Sequence, residues 1–531
     1  MENGLFLVEK IFLKDEYERI FSRIANGDNI TVLRYGDGER AIMTGEKVVA
    51  QEGWSSEGDS PLATALKNTL TLDNDNVFYG ISCPCCDRPA YYWYSTHIKS
   101  KNITFANLFV NSNYQSFKRD FKRLTRDAVV IANQAGQFNT IGNLNVLKYY
   151  PVGDDCINYW ETECGKLVSQ IIRDFGDREN LLYVVSAGPM AEPIIYELYK
   201  NNPNNCYVDF GSSIDAYIHG SDTRPYSNPN TIYAKRNCWM FRPDKVSFNV
   251  SVVLTSYKKP DALEKQLAAL EKQTLKPSEI ILFQDGIDSY YSINFEKTVL
   301  GYFDDVRIEK SNRGVWERFN YARSCKNDYV CLFDDDTIPG DCWLESCHFA
   351  MMNQVGIYGA IGVVLQDPAG YPLDKSKYYR VGWAEPNKRT MQVDFVGHSW
   401  FLPKFTLDYM FEGTEALQNY KIVAEDMTLS LKAAEHGIMT YVPPHPFNDH
   451  RVWGSDPALA MRYGQADGAL SMNFSNLTKM QEAITEFSAM GFQFLYERDM
   501  NLVHSQKNEL SRYHQKEKLR KLYSHFRHPF N

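Results

Sequence analysis

The sequence predicts an α/β protein of two domains followed by a helical tail, and three observations predict it. Strand and helix patterns alternate from near residue 30 and start again near residue 249. In each half a strand runs into clustered carboxylates, Asp37 and Glu39 in the first and Asp334, Asp335 and Asp336 in the second. Open α/β sheets bind their ligands at such strand ends. A chain of 531 residues is also too long for one core.

In the first half, Ile30-Thr31-Val32-Leu33 is a short strand that enters Arg34-Tyr35-Gly36-Asp37-Gly38-Glu39-Arg40. Glycines alternate there with acids, so two carboxylates on a sharp turn can face one cation. Taken alone, the triplet also reads as an ordinary turn with capping acids. The strand Val77 to Ile81 precedes Ser82-Cys83-Pro84-Cys85-Cys86-Asp87. That spacing lacks the paired C-x-x-C halves of a structural zinc site and reads as a tight loop. Phe117 to Leu124 is a basic helix with a solvated face. Leu182 to Pro189 and Tyr207 to Asp215 are strands followed by small residues; after the first, the helix Met190 to Lys200 offers its amino end to a phosphate.

A boundary falls near residues 236 to 247, a short and rather apolar stretch that predicts packed domains instead of a flexible tether. Val250 to Tyr257 then forms a β-branched strand, Ala262 to Gln273 a helix, and Pro277 to Gly286 a second strand ending in Asp285. The apolar run Tyr329 to Phe333 delivers Asp334, Asp335 and Asp336 to the sheet edge. Their charges need a cation to coexist, most simply Mg²⁺ or Mn²⁺ carrying a diphosphate. Gly397-His398-Ser399-Trp400 either lines an acceptor pocket or packs. Glu425 and Asp426 open the helix Met427 to His436, where N-capping explains them equally well locally. After the strand Thr440 to Pro443 come His445 and His450.

Four ordered motifs in the second half, S-V-V-L-T-S-Y, Q-T-L-K-P-S-E-I-I-L before Asp285, N-R-G-V-W-E-R-F-N-Y-A-R and D-D-D, resemble an inverting family 2 glycosyltransferase of the GT-A fold over roughly 200 residues. The resemblance implies that Asp285 contacts the nucleobase or ribose, that Asp334 and Asp336 form a D-x-D metal site with His450 as third ligand, and that Asp426 is the general base supported by Glu425. In the first half, R-Y-G-D-G-E resembles the opening motif of the Rossmann-like GT-D glycosyltransferases. That resemblance implies that Asp37 and Glu39 hold a metal and that Arg34 and Arg40 face phosphate or brace the loop. It also places Ser186, Gly188 and Asp215 around the donor pocket.

The implied architecture is two Rossmann-like nucleotide-sugar-binding domains, GT-D-like at 1–240 and GT-A at 247–475, with a helical basic tail at 476–531. The implied activity moves sugars from nucleoside-diphosphate donors to a glycan or lipid-linked acceptor in two sequential, Mn²⁺- or Mg²⁺-dependent additions. Two alternatives stand beside it: a hydroxylated nucleic-acid base as acceptor, or one catalytic half joined to a degenerate binding module.

Composition narrows the partners. A net charge of −9 argues against a protein that coats duplex DNA. Aromatic content of 14% with 34 tyrosines suits sugar stacking and equally suits a well-packed core. No apolar run reaches membrane-span length, and Met1 to Phe21 lacks a signal peptide's apolar block. Eleven scattered cysteines fit reduced thiols, so the expected location is the cytoplasm. From Lys507 to Arg527, seven basic residues face two acids around Leu510, Tyr513, Leu519 and Leu522. This helix suits an anionic membrane surface, nucleic-acid phosphates or its own catalytic domain.

Overall fold

The computed structural model of the protein describes residues 8–49, 54–222, 224–257, 260–286, 301–464 and 474–527. They fall into two compact units, 8–246 and the described residues from 247 onward.

The first unit is built on a seven-stranded sheet ordered Ile103–Phe105, Val77–Ile81, Thr31–Arg34, Cys206–Asp209, Leu182–Ser186, Asp127–Asn133, Asn145–Val152. Every neighbouring pair is parallel. A parallel sheet is covered on both faces, which is why Val77–Ile81 and Leu182–Val185 are apolar and buried throughout. The first and last strands of this sheet, Thr31–Arg34 and Cys206–Asp209, lie side by side at its centre. The chain therefore winds to one edge and returns on the other side, leaving a crevice at the carboxyl ends of those two strands. The basic segment expected at 117–124 is the helix Tyr114–Arg123, which buries Phe117 and Phe121 one turn apart and exposes Lys122 and Arg123.

The second unit has a nine-stranded sheet. Asp305–Ile308, Glu279–Gln284, Val250–Ser256 and Tyr329–Phe333 form its parallel half. Phe395–Pro403 joins antiparallel to Tyr329–Phe333, with Phe333 opposite Ser399. Gly356–Leu365, Met439–Val442 and Met391–Val393 continue the sheet, and Tyr378–Gly382 pairs with Gly356–Leu365. The predicted helix at 262–273 spans Pro260–Glu271, and the strand predicted at 277–286 is Glu279–Gln284.

The tail belongs to this second unit. Ile484, Phe487, Val503 and Leu510 join its hydrophobic core. Gln506 exchanges two hydrogen bonds with the backbone of Gln392, each 2.9 Å, and Arg389 pairs with Glu509. Tyr513 accepts from the Phe447 N–H at 3.1 Å. Of the three surfaces the sequence allows for this helix, its own unit is the one it contacts, while Leu519 and Leu522 stay exposed. Among the described residues, no helix is long and apolar enough to cross a membrane.

Candidate functional site

In the second unit, the buried strand Tyr329–Phe333 carries Asp334 to the carboxyl edge of the parallel half. The antiparallel register then sets His398 beside it, and the Asp334 N–H donates to the His398 carbonyl at 3.0 Å. The His398 Nδ1 lies 3.9 Å from Asp334 Oδ2 and 3.7 Å from Asp336 Oδ1. Asp334, Asp336 and His398 thus offer three ligand atoms within 4.8 Å of one another. Two carboxylates and an imidazole form a mixed oxygen and nitrogen donor set that a divalent transition cation such as Mn²⁺ accepts more readily than Mg²⁺ does. Burial opposes protonation of His398, yet Asp336 and then Asp334 overcome it and raise the imidazole's pKa. His398 has φ of +66°, a left-handed conformation that costs a β-strand residue of order 1 kcal/mol.

His450, expected as the third ligand, stands outside this set. Its ring packs on Trp453 with centroids 4.0 Å apart and borders a cleft with Lys265, Gly340 and Asp456. Position in a motif suggested it; strand register brings His398 instead.

Behind the carboxylates lies Arg318, only 7% exposed. Its Nη1 donates to Asp334 Oδ1 at 2.5 Å and its Nη2 to Glu425 Oε1 at 3.1 Å. The guanidinium also lies 4.9 Å from the Trp400 ring. Sequence reasoning misses this residue, which sits inside N-R-G-V-W-E-R-F with no local mark of a buried charge. Glu425 and Asp426 open the helix Glu425–Glu435 behind Ala424, whose φ is +77°. Burial pushes the Glu425 carboxyl up to about 8, with the adjacent Asp426 raising it and Arg318 lowering it. Burial likewise raises Asp426 to about 6, the Met427 N–H holding it down and the Asp334 charge pushing it up. The helix-start role is real for Asp426, whose Oδ1 accepts from Met427 N at 2.7 Å, and its second oxygen leaves room for a proton.

Asp285 follows its strand as expected, and its carboxylate is spent on the neighbouring loop. Oδ1 accepts from Arg313 N at 2.6 Å and Oδ2 from Gly314 N at 3.1 Å. Gly314 has φ of +95°, and a Cβ there would collide with the Lys421 carbonyl, so only glycine presents that N–H to Asp285. Each oxygen of Asp285 keeps a lone pair for a ligand.

In the first unit the predicted residues gather at the central crevice. Arg34 Nε donates to Asp209 Oδ2 at 3.3 Å, and its Nη1 to the Phe210 carbonyl at 3.3 Å. The guanidinium presses against Gly211, where a Cβ would come within 2.6 Å of Arg34 Nη2. Ser186 donates to the Gly211 carbonyl at 3.2 Å. Gly188 begins the turn into the helix Ala191–Asn201, whose first turn carries Glu192. The anion at that helix start is therefore the protein's own carboxylate, with Glu192 Oε1 accepting from Arg34 N at 3.4 Å. Asp215 opens a short helix and pairs with Arg224 at 3.9 Å.

Asp37 and Glu39 divide their roles. Glu39 Oε2 caps the Gly36 N–H at 2.7 Å, whereas Asp37 is exposed and accepts from Gly38 N at 3.1 Å. Arg40 braces the loop through Glu46 at 3.2 Å. Burial, with Asp209 and Asp37 adding, pushes Glu39 up to about 7. Glu192 and Asp209 are raised by burial as well. Glu192 Oε2 is buried without a hydrogen-bond partner. Glu192 and Asp209 are buried with Glu39 close by, and acids that crowd one another in this way call for protons or a cation. The sequence does not single out Glu192 and Asp209, although Asp209 ends its strand as the other site acids do.

Comparison with known proteins places the second unit. The family model described as Glycosyltransferase like family 2 matches residues 248–478. These residues form a glycosyltransferase family 2-like domain. No curated protein matches the chain. Among solved structures, S. aureus TarS is 13% identical with a TM-score of 0.29, over 45% of this chain and 44% of that one. The chain thus spans less than half of TarS. The mannosyltransferase PcManGT from Pyrobaculum calidifontis, solved with GDP-Man and Mn²⁺, is 13% identical with a TM-score of 0.24, over 46% of this chain and 76% of that one. At such TM-scores neither likeness speaks to the donor or acceptor of this chain.

Proposed function

We propose, from the glycosyltransferase family 2-like domain at residues 248–478, that the second unit transfers a sugar from a nucleoside-diphosphate donor to a hydroxyl of a glycan or lipid-linked acceptor. The observation that carries this reading is the convergence of Asp334, Asp336 and His398 at the carboxyl edge of the parallel strands. These three residues would hold Mn²⁺ or Mg²⁺, which supplies charge neutralisation for the leaving diphosphate. Arg318 fixes the Asp334 carboxylate, so that it need not be reorganised when the donor arrives. Asp285 holds the loop at 313–314 and faces the donor with its remaining lone pairs. Asp426 accepts the acceptor's hydroxyl proton; a pKa near 6 leaves it ionised at neutral pH yet basic enough to take a proton. Glu425, held by Arg318, positions the start of that helix.

The first unit is proposed as a second, GT-D-like nucleotide-sugar site around Arg34, Asp37, Glu39, Ser186, Gly188 and Asp215, adding a different sugar. One observation favours the alternative of a binding module: Glu39 is engaged as a cap and Asp37 points to solvent. A nucleic-acid acceptor or a membrane contact gains no support from the tail, whose core-facing side chains are used within its own unit. A cytoplasmic location remains part of the proposal, consistent with eleven cysteines outside any disulfide.

The test is a screen of nucleotide sugars for hydrolysis and thermal shift with Mn²⁺ or Mg²⁺, on wild type, Asp336→Ala and Asp37→Ala. Loss of cation-dependent donor binding in Asp336→Ala supports the reading. Unchanged binding in both variants would remove it.

A further inference from the structure

The loop Ser82 to Asp87 is tight, as its sequence predicts, with Cys86 N and Asp87 N both donating to the Cys83 carbonyl at 3.0 Å. What its spacing conceals is a fourth cysteine, Cys238, lying 152 positions beyond Cys86 and brought to the same place by the fold. Cys238 immediately precedes the strand Trp239–Phe241, which pairs with Lys10–Phe12. Its carbonyl accepts from Leu13 N at 2.9 Å, so its position is fixed by backbone and not by the cluster itself.

The four sulfurs of Cys83, Cys85, Cys86 and Cys238 lie within 4.8 Å of one another. Cys83 and Cys85 are 3.3 Å apart, and Cys86 and Cys238 are 3.5 Å apart. Four thiolates at about 2.3 Å from one zinc ion sit about 3.8 Å from each other, so the cluster needs shifts of well under an ångström to close on a metal. A multi-iron cluster would need its sulfurs farther apart than this set places them.

The surroundings favour thiolates over thiols. Asn107 Nδ2 donates to Cys238 Sγ at 3.0 Å, and Arg236 Nη1 to Cys86 Sγ at 3.5 Å. Neutral sulfur is a weak acceptor, so a guanidinium and an amide aimed at it are the arrangement expected around metal-bound thiolate. Cys83 and Cys238 are buried and Cys85 and Cys86 exposed, leaving one side open for the ion to enter.

We propose that Cys83, Cys85, Cys86 and Cys238 bind one zinc ion in a closed tetrathiolate site that fastens the 82–87 loop to the chain before Trp239. Four protein ligands leave no position for substrate, so the role is structural. Each thiol gives up its proton on binding, and no redox change is involved. The clamp acts on the crevice of the first unit. The loop leads through the Asp87 cap, which accepts from Ala90 N at 3.0 Å, into the helix Arg88–His97. From that helix Tyr94 donates to the Gly36 carbonyl at 2.8 Å, bracing the turn that carries Asp37 and Glu39. The zinc site stands on cysteine geometry alone and is independent of the sugar-transfer reading.

The experiment is metal analysis of the full chain, expressed with zinc in the medium and dialysed against EDTA to clear the carboxylate site. About one zinc ion per chain should remain, and an organomercurial should release it as four thiols are titrated. Cys86→Ser and Cys238→Ser should each lose the ion, while Cys206→Ala, buried elsewhere in the same unit, should keep it. Should Cys238→Ser fail to fold, Cys86→Ser on the exposed side carries the same test. Wild-type protein reloaded with Co²⁺ should also show the intense visible bands of tetrahedral thiolate coordination. A zinc-free wild type with four free thiols or two disulfides, full zinc in Cys86→Ser, or iron in place of zinc would each overturn the assignment.

Discussion

The guanidinium of Arg318 donates to Glu425 at 3.1 Å across 107 positions of sequence, and its other terminal nitrogen holds Asp334. One buried cation thus links the proposed metal site to the start of the helix that carries the proposed base. Removing it leaves the Asp334 carboxylate without its counter-charge and the Glu425 carboxyl without its donor, in a place where the arginine itself is only 7% exposed. Arg318→Met is expected to destabilise the second unit by about 3–5 kcal/mol, the range for breaking a buried pair by one partner. Urea denaturation reads the loss. Arg318→Lys, with one compact ammonium for two carboxylates, should recover part of it.

Asp334→Ala and Asp336→Ala should both abolish metal-dependent transfer. Asp336→Ala should do so without loss of Tm, because deleting one of two repelling carboxylates rarely destabilises a metal-free site. Asp334→Ala strips the buried Arg318 of a partner and should lower Tm. His398→Ala should weaken Mn²⁺ binding by about tenfold or more, and His450→Ala should not. Calorimetric titration of Mn²⁺ separates the two histidines.

Asp426→Asn keeps the shape and the bond from Met427 N while removing the basic oxygen. Turnover should fall by roughly 10²-fold or more with donor affinity retained, the range for loss of a general base. An equal loss of donor affinity would make Asp426 a ligand or loop support.

How much of the site is legible in sequence depends on how local each signal is. Asp334 and Asp336 are readable because five buried residues, Tyr329 to Phe333, aim them at a sheet edge. His398 is not, because its approach requires the pairing of Phe333 with Ser399. Arg318 and Cys238 share that difficulty, each meeting a partner more than a hundred positions away. The tail is readable as amphipathic, but the surface it covers is set by Gln392 and Arg389 on another part of its unit. Strand and helix positions in both halves follow the apolar pattern to within a few residues, since burial on two faces leaves continuous runs.

Acid sensitivity gives a further prediction. His348 donates through Nε2 to the Ser247 carbonyl, and His445 sits between the Pro443 carbonyl at Nδ1 and the Gly454 N–H at Nε2. Burial lowers both imidazoles to about 4. The fold therefore prefers them neutral, and the stability they contribute is present above about 6.5 and lost as pH falls toward 4, at roughly 3 kcal/mol each. The raised carboxyls of Glu425 and Asp394 act in the opposite sense, so the informative quantity is a difference. Between pH 7 and pH 4, wild type should lose more stability in urea than a His348→Gln/His445→Gln variant does.

The two-site proposal is tested by product masses. Glu39→Gln is the clean variant in the first unit, because it keeps an acceptor for Gly36 N where alanine would remove the cap. If both units are catalytic, Asp37→Ala with Glu39→Gln should eliminate one sugar addition and Asp336→Ala a different one. Loss of the same product in all variants, or of none in the first-unit pair, assigns the first unit to binding.

The central claim is cation-dependent use of a nucleoside-diphosphate sugar at Asp334 and Asp336, and donor titration of wild type against Asp336→Ala, with and without Mn²⁺, tests it most directly. At least one nucleotide sugar should bind wild type only when the cation is present and should not bind Asp336→Ala under either condition. Binding that ignores the cation, or that survives intact in Asp336→Ala, would contradict it.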